Sequence, residues 1–341
     1  MTHTTPAISV VLPAYNAARH LPACLDSLLA QDAGNYDIIA VDDGSTDDTA
    51  RVLTDYAARH DRMRAILRPH EGVAAAFNTG MEHATGRYIA RMDADDTCDP
   101  RRLRLQAEHL SANPQVGLVA STVTYGGCRE TCAGYAHHVD WTNTLLSAAD
   151  IFLHRFVDLP FANPAVMFRR ECVAAHGGAL DGDFPEDYEM WLRWLDAGVR
   201  MEKLPQPLVT WNDPPTRLTR TDCRYDQMAF YRVKAAYLAR WLRRTSPHWP
   251  EVYIIGAGRP TRQRADLLLD HGVNIRAYVD IDPRKIGNII GGRPVIGRAG
   301  LPAPGECCII SYVGNRGARD EVAEFLTGAG YVMGRDFLLA A

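Results

Sequence analysis

Short apolar runs alternate with segments of helical periodicity along the first third of the chain. The runs predict four strands, at Ile8–Leu12, Asp37–Val41, Met63–Leu67 and Tyr88–Met92. Apolar residues at helical spacing predict helices between and after them: Leu21 to Leu29, a helix with Val52, Leu53 and Tyr56, Gly72 to Ala84, and a helix with Leu103, Ala107 and Leu110. This alternation predicts an α/β fold with a mainly parallel sheet, which binds ligands at the carboxyl ends of its strands.

Local signals also predict how two of these helices begin. Ser45 and Asp48 have the spacing of a capping box before the second helix. Asp99 and Pro100 fit an N-cap and a first-turn proline for the fourth.

The pattern changes after Val116 and restarts near the end of the chain. Mixed strands near Gly117–Ser121 and Ala165–Phe168 precede a strong helix from Pro185 to Ala197. A long helix from Tyr225 to Arg244 ends at the breaker Ser246–Pro250, and strands at Val252–Ile255 and Ile275–Asp280 then resume the alternation. We therefore predict one domain over residues 1–222, a helical linker over 223–248 and a smaller α/β domain over 249–341.

Composition excludes several classes of protein. With 47% hydrophobic residues and a net charge of -4, the 341-residue chain is an ordinary globular protein without the basic excess of a nucleic-acid binder. No apolar segment is long enough to span a membrane, and residues 1–7 lack a basic start and an apolar core, so we expect a cytoplasmic protein. The eight cysteines have scattered spacings, which favours reduced thiols over a zinc site or a disulfide framework.

Three carboxylates follow the fourth predicted strand: Asp93, Asp95 and Asp96. Carboxylates this close repel one another unless a cation joins them, and Mg²⁺ and Mn²⁺ prefer such oxygen ligands. The alternative is that these residues solvate a loop and cap the next helix.

Three sequence blocks carry a resemblance to a known family: Ile8 to Asn16, Val41 to Thr49, and Asp93 to Asp96. In this order, and followed by Phe184 to Arg193, they resemble the GT-A family 2 glycosyltransferases over about residues 6 to 220. The resemblance implies a GT-A type, Rossmann-like nucleotide-binding sheet and places eight residues at the donor site: Pro13, Tyr15, Asn16, Asp43, Asp93, Ala94, Asp95 and Asp96. Arg217 is a ninth candidate, in a segment where this chain departs from the family.

The resemblance also implies roles for these residues. Tyr15 would stack on a nucleotide base and Asp43 would accept a hydrogen bond from its N–H edge, which suits uracil. Taken alone, Tyr15 is equally well a rim aromatic, and Asp43 is equally well a turn residue. Asp95 would bind Mn²⁺ or Mg²⁺ directly, Asp93 would reach toward ribose or metal, and Asp96 toward sugar hydroxyls.

The pair Glu186–Asp187 matches the family's ED motif, whose second carboxylate is the general base of an inverting single displacement. The alternative is that Glu186 and Asp187 only stabilise the first turn of the helix through its dipole. Many relatives close a histidine-containing loop over the diphosphate, but the corresponding segment of this chain has no histidine. Arg217 or Arg220 is expected to supply the positive charge instead. The alternative is that this segment is a solvated basic loop. The QxxRW signature of processive relatives is absent, so one sugar per encounter is expected.

The implied partners are a nucleotide-diphosphate sugar, with UDP favoured, and a carbohydrate or lipid-linked acceptor of bacterial-type surface polysaccharide or glycoconjugate synthesis. The basic helix from Tyr225 to Arg244, which has Tyr231, Tyr237 and Trp241 among its arginines, can lie on an anionic membrane surface, or it can pack between domains or in a homo-oligomer. A sugar-phosphate nucleotidylyltransferase and a non-catalytic nucleotide-sugar sensor or scaffold are the competing functions.

The end of the chain resembles a small Rossmann-like module. Gly256 and Gly258 follow a strand, and Asp280 ends the next, as in a nucleotide site, but Thr261 replaces the third glycine of the fingerprint. The turn from Gly314 to Arg319 can also hold phosphate. Nucleotide binding and a structural or oligomerising module are equally supported.

Overall fold

All seven residues of the first strand, Ile8–Ala14, are buried, as expected for a strand covered on both faces. The computed structural model describes residues 7–215, 217–315 and 317–341. The predictions that involve residues 1–6, Thr216 in the lid segment and Arg316 in the Gly314–Arg319 turn lie outside these ranges.

The chain divides into two compact units, one with the described residues up to Ile151 and Phe161–Asp222, the other with Phe152–Pro160 and Cys223–Ala341. The second unit therefore includes residues 223–248, which the sequence analysis treats as a linker.

The first unit contains an eight-stranded sheet. Its strands are β1 Ile8–Ala14, β2 Tyr36–Asp42, β3 Met63–Leu67, β4 Tyr88–Arg91, β5 Thr97–Cys98, β6 Val116–Tyr125, β7 Met167–Arg169 and β8 Arg200–Trp211. The helices are α1 Leu21–Leu29, α2 Thr49–Arg59, α3 Val73–His83, α4 Arg102–Ala112, α5 Ala133–Thr144, α6 Ala148–His154, which runs past Ile151, α7 Arg170–His176, α8 Glu186–Asp196 and α9 Leu218–Thr221.

The sheet is mixed, with strand order β3-β2-β1-β4-β7-β6-β8-β5. The first four strands in this order are parallel to one another, as the alternating pattern predicts. β7 is antiparallel to both β4 and β6, and β5 is antiparallel to β8. β6 and β8 are parallel to each other, so parallel pairing also occurs in the half of the sheet beyond β7.

Both predicted helix starts are wrong in detail. Ser45 does not cap α2, because its Oγ accepts the Asn16 N–H at 2.9 Å and the helix begins at Thr49. Asp99 Oδ1 accepts the Arg101 N–H at 2.9 Å, and α4 begins only at Arg102, so Pro100 precedes the helix. In each case the polar side chain stabilises a turn before the helix.

Helix α3 packs closely on the centre of the sheet. A Cβ added to Gly80 would overlap the side chain of Val11 in β1. The small residues of this helix therefore allow close packing.

The second unit has a six-stranded sheet of order β11-β12-β10-β9-β13-β14. Its strands are β9 Glu251–Ile255, β10 Asn274–Val279, β11 Ile289–Ile290, β12 Arg293–Ile296, β13 Ile309–Ser311 and β14 Phe337–Leu339, and its helices are α10 Gln227–Thr245, α11 Arg259–Asp266 and α12 Ala318–Gly328. All neighbouring strands are parallel except β11 with β12.

In α10 the aromatic residues Tyr231, Tyr237 and Trp241 are buried, whereas the arginines Arg232, Arg240, Arg243 and Arg244 are exposed. These aromatic side chains are therefore covered and do not form a membrane-facing surface. Within the described ranges, no helix has the length and apolar character needed to cross a bilayer.

Candidate active site

The predicted donor residues follow three adjacent parallel strands. β1 lies between β2 and β4. Tyr15 follows the last residue of β1, Asp43 follows the last residue of β2, and Asp93 comes two residues after β4. Since parallel strands end on the same side, the structure brings these residues to one edge of the sheet.

The loops after β1 and β2 are tied together by hydrogen bonds. The Thr46 N–H donates to Asn16 Oδ1 at 2.8 Å, and Ser45 Oγ accepts the Asn16 N–H. Asn16 has a φ of 47°, a left-handed conformation that asparagine tolerates better than most residues. Pro13 is buried within β1 opposite Val41. Asn16 and Pro13 therefore shape the loop, and their predicted contact with the donor stays a prediction.

Tyr15 is 46% exposed and stacks on His70, with ring centroids 4.2 Å apart and an interplanar angle of 21°. His70 Nδ1 also lies 2.8 Å from Asp43 Oδ2. The imidazole thus makes the two contacts predicted for a base: stacking on Tyr15 and a ring nitrogen beside Asp43. The sequence analysis missed His70, whose only signal is its place just after β3.

The carboxylate of Asp43 is buried and accepts several further donors. Arg68 Nη1 donates at 2.7 Å, the Gly72 N–H at 2.8 Å and the Glu71 N–H at 3.2 Å. Asp43 therefore holds the start of α3 as well as facing His70, whereas the Ser45 N–H of the following turn donates to Asp42 Oδ2 instead. A base that uses Asp43 must displace the imidazole.

Arg91 connects the carboxylates after β4 to those at the start of α8. This buried guanidinium donates through Nε to Asp93 Oδ1 at 3.0 Å. Burial lowers the pKa of Arg91, but the charges of Asp93, Glu186 and Asp187 outweigh it and raise the pKa above its ordinary value. Arg91 was missed from sequence because it ends an otherwise apolar strand.

Asp187 lies in the first turn of α8, where its Oδ1 accepts the Tyr188 N–H at 2.6 Å. Burial, followed by the charge of Glu186, raises the pKa of Asp187 to about 7, although Arg91 acts in the opposite direction. A carboxylate with this pKa can accept a proton near neutral pH, as a general base must.

Asp95 and Asp96 have different surroundings. Burial and the charge of Asp93 raise the pKa of Asp95. Asp96 is only 1% exposed, and its Oδ1 accepts the Asn212 N–H at 2.7 Å. Burial, and then the charges of Asp95 and Asp93, raise the pKa of Asp96 well above its usual range. Asp96 therefore anchors the segment after β8, and its predicted contact with sugar hydroxyls stays a prediction.

The backbone between these carboxylates is held by the same segment. Asn212 Nδ2 donates to the Asp95 carbonyl at 2.7 Å, and Ala94 is buried. The Asn212 side chain therefore fixes the main chain at Asp95.

The donor set fits a hard divalent cation only in part. Within residues 7–215, 217–315 and 317–341, no group of three or more His, Cys, Asp and Glu side chains is arranged to hold a metal ion. Asp93 and Asp95 offer the oxygen ligands that Mn²⁺ and Mg²⁺ prefer, and their mutual repulsion favours a cation between them. Such an ion needs further ligands from a bound substrate and water.

Asp213 holds both arginines of the predicted lid. Its Oδ2 accepts Arg220 Nη2 and the Tyr125 hydroxyl, each at 2.6 Å, and Arg217 Nη1 lies 3.6 Å from Oδ1. The Arg217 guanidinium lies 3.9 Å from the Trp211 ring centroid, and Nη1 is buried without a hydrogen bond among the described residues. Positive charge from Arg217 also lowers the pKa of Asp95, against the larger effect of burial. Arg217 therefore has a spare donor near the acidic cluster, whereas Arg220 is engaged by Asp213.

Comparison with known proteins gives the family. The family model "Glycosyl transferase family 2" matches residues 9–176. The chain is 39% identical over 209 residues to EpsE of Bacillus subtilis (strain 168), named as a glycosyltransferase, which covers 60% of this chain and 72% of EpsE. The chain belongs to glycosyl transferase family 2. This confirms the resemblance found in the sequence.

Some other family 2 relatives are much longer proteins. The chondroitin synthase of Escherichia coli is 33% identical over 117 residues, which are 34% of this chain but 17% of that enzyme. The shared part is therefore a fraction of that protein.

Solved structures show the same GT-A fold. Staphylococcus aureus TarS 1-349 in complex with UDP-GlcNAc has a TM-score of 0.55 at 14% identity, covering 77% of this chain and 71% of TarS 1-349. The mannosyltransferase PcManGT of Pyrobaculum calidifontis, in complex with GDP-Man and Mn²⁺, has a TM-score of 0.51 at 20% identity, covering 80% and 70%. Together with the mixed eight-stranded sheet, these likenesses confirm the predicted fold class.

Proposed function

We propose that this family 2 glycosyltransferase is metal-dependent and inverting, and that it moves one sugar per encounter from a UDP-sugar to a hydroxyl of a carbohydrate or lipid-linked acceptor. One observation carries the proposal: Arg91 donates to Asp93 and also feels the charge of Asp187, so the diphosphate carboxylates and the candidate base meet at one edge. The fold neighbours in complex with UDP-GlcNAc and GDP-Man support a nucleotide-sugar donor. The chondroitin synthase supports a role in polysaccharide or glycoconjugate synthesis.

Donor binding is assigned to the residues at the ends of β1, β2 and β4. The base replaces the His70 ring on Tyr15 and donates its N–H to Asp43. The diphosphate lies near Asp93 and Asp95, where the spare Nη1 of Arg217 donates a charge-assisted hydrogen bond. A bound Mn²⁺ or Mg²⁺ on Asp93 and Asp95 would neutralise charge on the leaving diphosphate.

The transfer is a single displacement. The acceptor oxygen attacks the anomeric carbon as the bond between that carbon and the diphosphate oxygen breaks, and the nucleoside diphosphate leaves with the electron pair. Asp187 takes the hydroxyl proton as the new bond forms. Attack from the face opposite the diphosphate inverts the anomeric configuration.

The rate of transfer should rise with pH through about 7, because Asp187 must lose its own proton before it can accept one. We expect kcat at pH 6 to be about tenfold lower than at pH 8, as measured by UDP release at saturating donor. UDP affinity, measured at both pH values, separates this effect from binding. A kcat that does not change between these pH values would contradict the role of Asp187 as base.

His70→Ala should tighten UDP binding by roughly two- to tenfold, because it removes the ring that stacks on Tyr15 in the free protein. Isothermal titration calorimetry of UDP with Mn²⁺ measures this change. His83→Ala, an exposed histidine on α3, is the matched control and should leave the affinity unchanged. Weaker binding by His70→Ala would mean that His70 belongs to the occupied base site.

Incubation with a panel of UDP-sugars tests the proposed function. Release of UDP from at least one donor, abolished by EDTA and restored by excess Mn²⁺, is the expected result. If no donor is consumed while UDP still binds, the sensor function replaces the enzyme. Formation of pyrophosphate from a sugar phosphate and UTP would instead identify a nucleotidylyltransferase.

A further inference from the structure

The second unit contains a cavity of about 460 Å³ at the carboxyl ends of its central strands. β9 comes first in sequence but lies between β10 and β13. The strands up to β12 are therefore added on one side of β9, and β13 and β14 on the other, so the strand order reverses at β9. Crevices at such a switch point are the usual ligand sites of open α/β sheets. The predicted residues Gly256, Gly258 and Asp280 all line this cavity.

The turn after β9 keeps the main chain close to the cavity. Gly256 has a φ of 98°, which favours glycine, and a Cβ there would lie 3.0 Å from Thr261 Oγ1. Thr261, which stands at the position of the third glycine of the dinucleotide fingerprint, therefore packs directly against Gly256. The turn leads into α11, whose N-terminal amides are a favourable place for phosphate.

Asp280 is committed to holding this turn. Its Oδ2 accepts the Ala257 N–H and Lys285 Nζ, both at 2.9 Å, and its Oδ1 accepts the Asp282 N–H. Burial opposes ionisation, but these hydrogen bonds outweigh it and hold the pKa of Asp280 below its usual range. Asp280 is therefore a positioning residue that fixes the turn to the end of β10.

Two arginines of the lining, Arg264 and Arg298, have no salt-bridge partner among the described residues, although the carboxylate of Glu321 also lines the cavity. Arg264 donates weakly to the Tyr312 carbonyl at 3.4 Å and lies over the Tyr231 ring, and Arg298 lies over the Phe325 ring. Among the described residues, neither arginine forms a salt bridge, whereas Lys285 of the same lining is paired with Asp280. The lining has three basic residues against the two acidic residues Asp280 and Glu321, and guanidinium groups without a salt bridge in a concave site favour an anionic ligand.

We propose that this cavity binds a nucleoside phosphate, with Arg264 and Arg298 supplying charge for the phosphate and Ile281 supplying an apolar surface for the base. Ile281 follows Asp280 in the lining and is 68% exposed, so a large apolar side chain lies open beside the cavity. Arg264 reaches the end of β13, on the other side of β9. A mononucleotide bound in the cavity would therefore place its base over β10 and its phosphate toward β13, on opposite sides of β9.

Hydrogen–deuterium exchange of the full-length protein with millimolar UDP, GDP, ADP or NAD⁺ locates such binding. We expect at least one of these nucleotides to slow exchange in the segments around Gly256–Arg262 and Val279–Lys285. Because these segments belong to the second unit, the result is separate from UDP binding at Tyr15 and does not depend on the sugar-transfer proposal. If none of the four slows exchange there, the proposal is wrong.

Variants of the two arginines test the charge assignment. Arg264→Met and Arg298→Met should each lower the affinity for the nucleotide that slows exchange by about tenfold or more, because each removes a charged donor. Arg276→Met is the matched control: this exposed arginine of β10 pairs with Glu251 and does not line the cavity, so its affinity should be unchanged. Arg264→Lys and Arg298→Lys, which keep a cation, should retain more of the affinity and cover the case that a methionine variant does not fold. Unchanged affinity in all four arginine variants would overturn the assignment.

Discussion

Replacing Asp187 with asparagine should lower kcat for sugar transfer by about 10²- to 10⁴-fold and leave the affinity for UDP unchanged. Asparagine preserves the size of the side chain and can still accept the Tyr188 N–H, but it cannot take a proton from the acceptor hydroxyl. With a pKa of about 7, the Asp187 carboxylate is about half ionised at neutral pH and still basic enough to take a proton, so its removal should slow transfer. Steady-state UDP release and calorimetric UDP binding together measure both effects.

Asp183→Asn is the matched control for this variant. Asp183 is an exposed carboxylate four residues before Asp187, in the loop that leads to α8. It should keep kcat close to that of the unmodified protein. A similar loss of kcat in both variants would assign the effect to the charge of the loop, and full activity of Asp187→Asn would exclude Asp187 as the base.

The second large effect is expected for Asp95→Asn, which should weaken Mn²⁺-dependent UDP binding by about two orders of magnitude or more. The ion supplies several kcal/mol of charge stabilisation to the diphosphate, and this variant removes one of the two carboxylates that would hold it. The fold should persist, because burial and repulsion from Asp93 already disfavour the charged form of Asp95. Calorimetry with Mn²⁺ and with EDTA measures the metal-dependent part.

Asp99→Asn provides the corresponding control near the same loop. Its carboxylate is bound to Arg101 and its Oδ1 accepts the Arg101 N–H, which asparagine can still do. Metal-dependent affinity should therefore be unchanged. Equal UDP affinity of Asp95→Asn and the unmodified protein in the presence of Mn²⁺ would refute Asp95 as the metal ligand.

The sequence predicted those parts of the fold that depend on local periodicity. The strands that end near Tyr15, Asp43 and Asp93 are apolar runs between turns, and their order places these residues at one edge. The start of α8 at Glu186 could also be predicted to within one residue, because acidic residues follow Pro185. These features need no knowledge of distant contacts.

The features that the sequence did not predict depend on partners far along the chain. Ser45 resembles a helix cap, but its Oγ accepts a hydrogen bond from Asn16, 29 residues earlier. His70 stacks on Tyr15 across 55 positions, and Asp213 binds the hydroxyl of Tyr125. A side chain that can serve a near or a distant partner has no unique role until the fold brings that partner close.

The anomeric configuration of the first sugar released from an active UDP-α-sugar tests the central claim most directly. Real-time proton NMR with diamagnetic Mg²⁺ and without acceptor, where water acts as a slow acceptor, resolves the two anomers before they interconvert. Single displacement with Asp187 as base predicts that the β anomer appears first and that Asp187→Asn forms it far more slowly. Initial release of the α anomer would contradict the account.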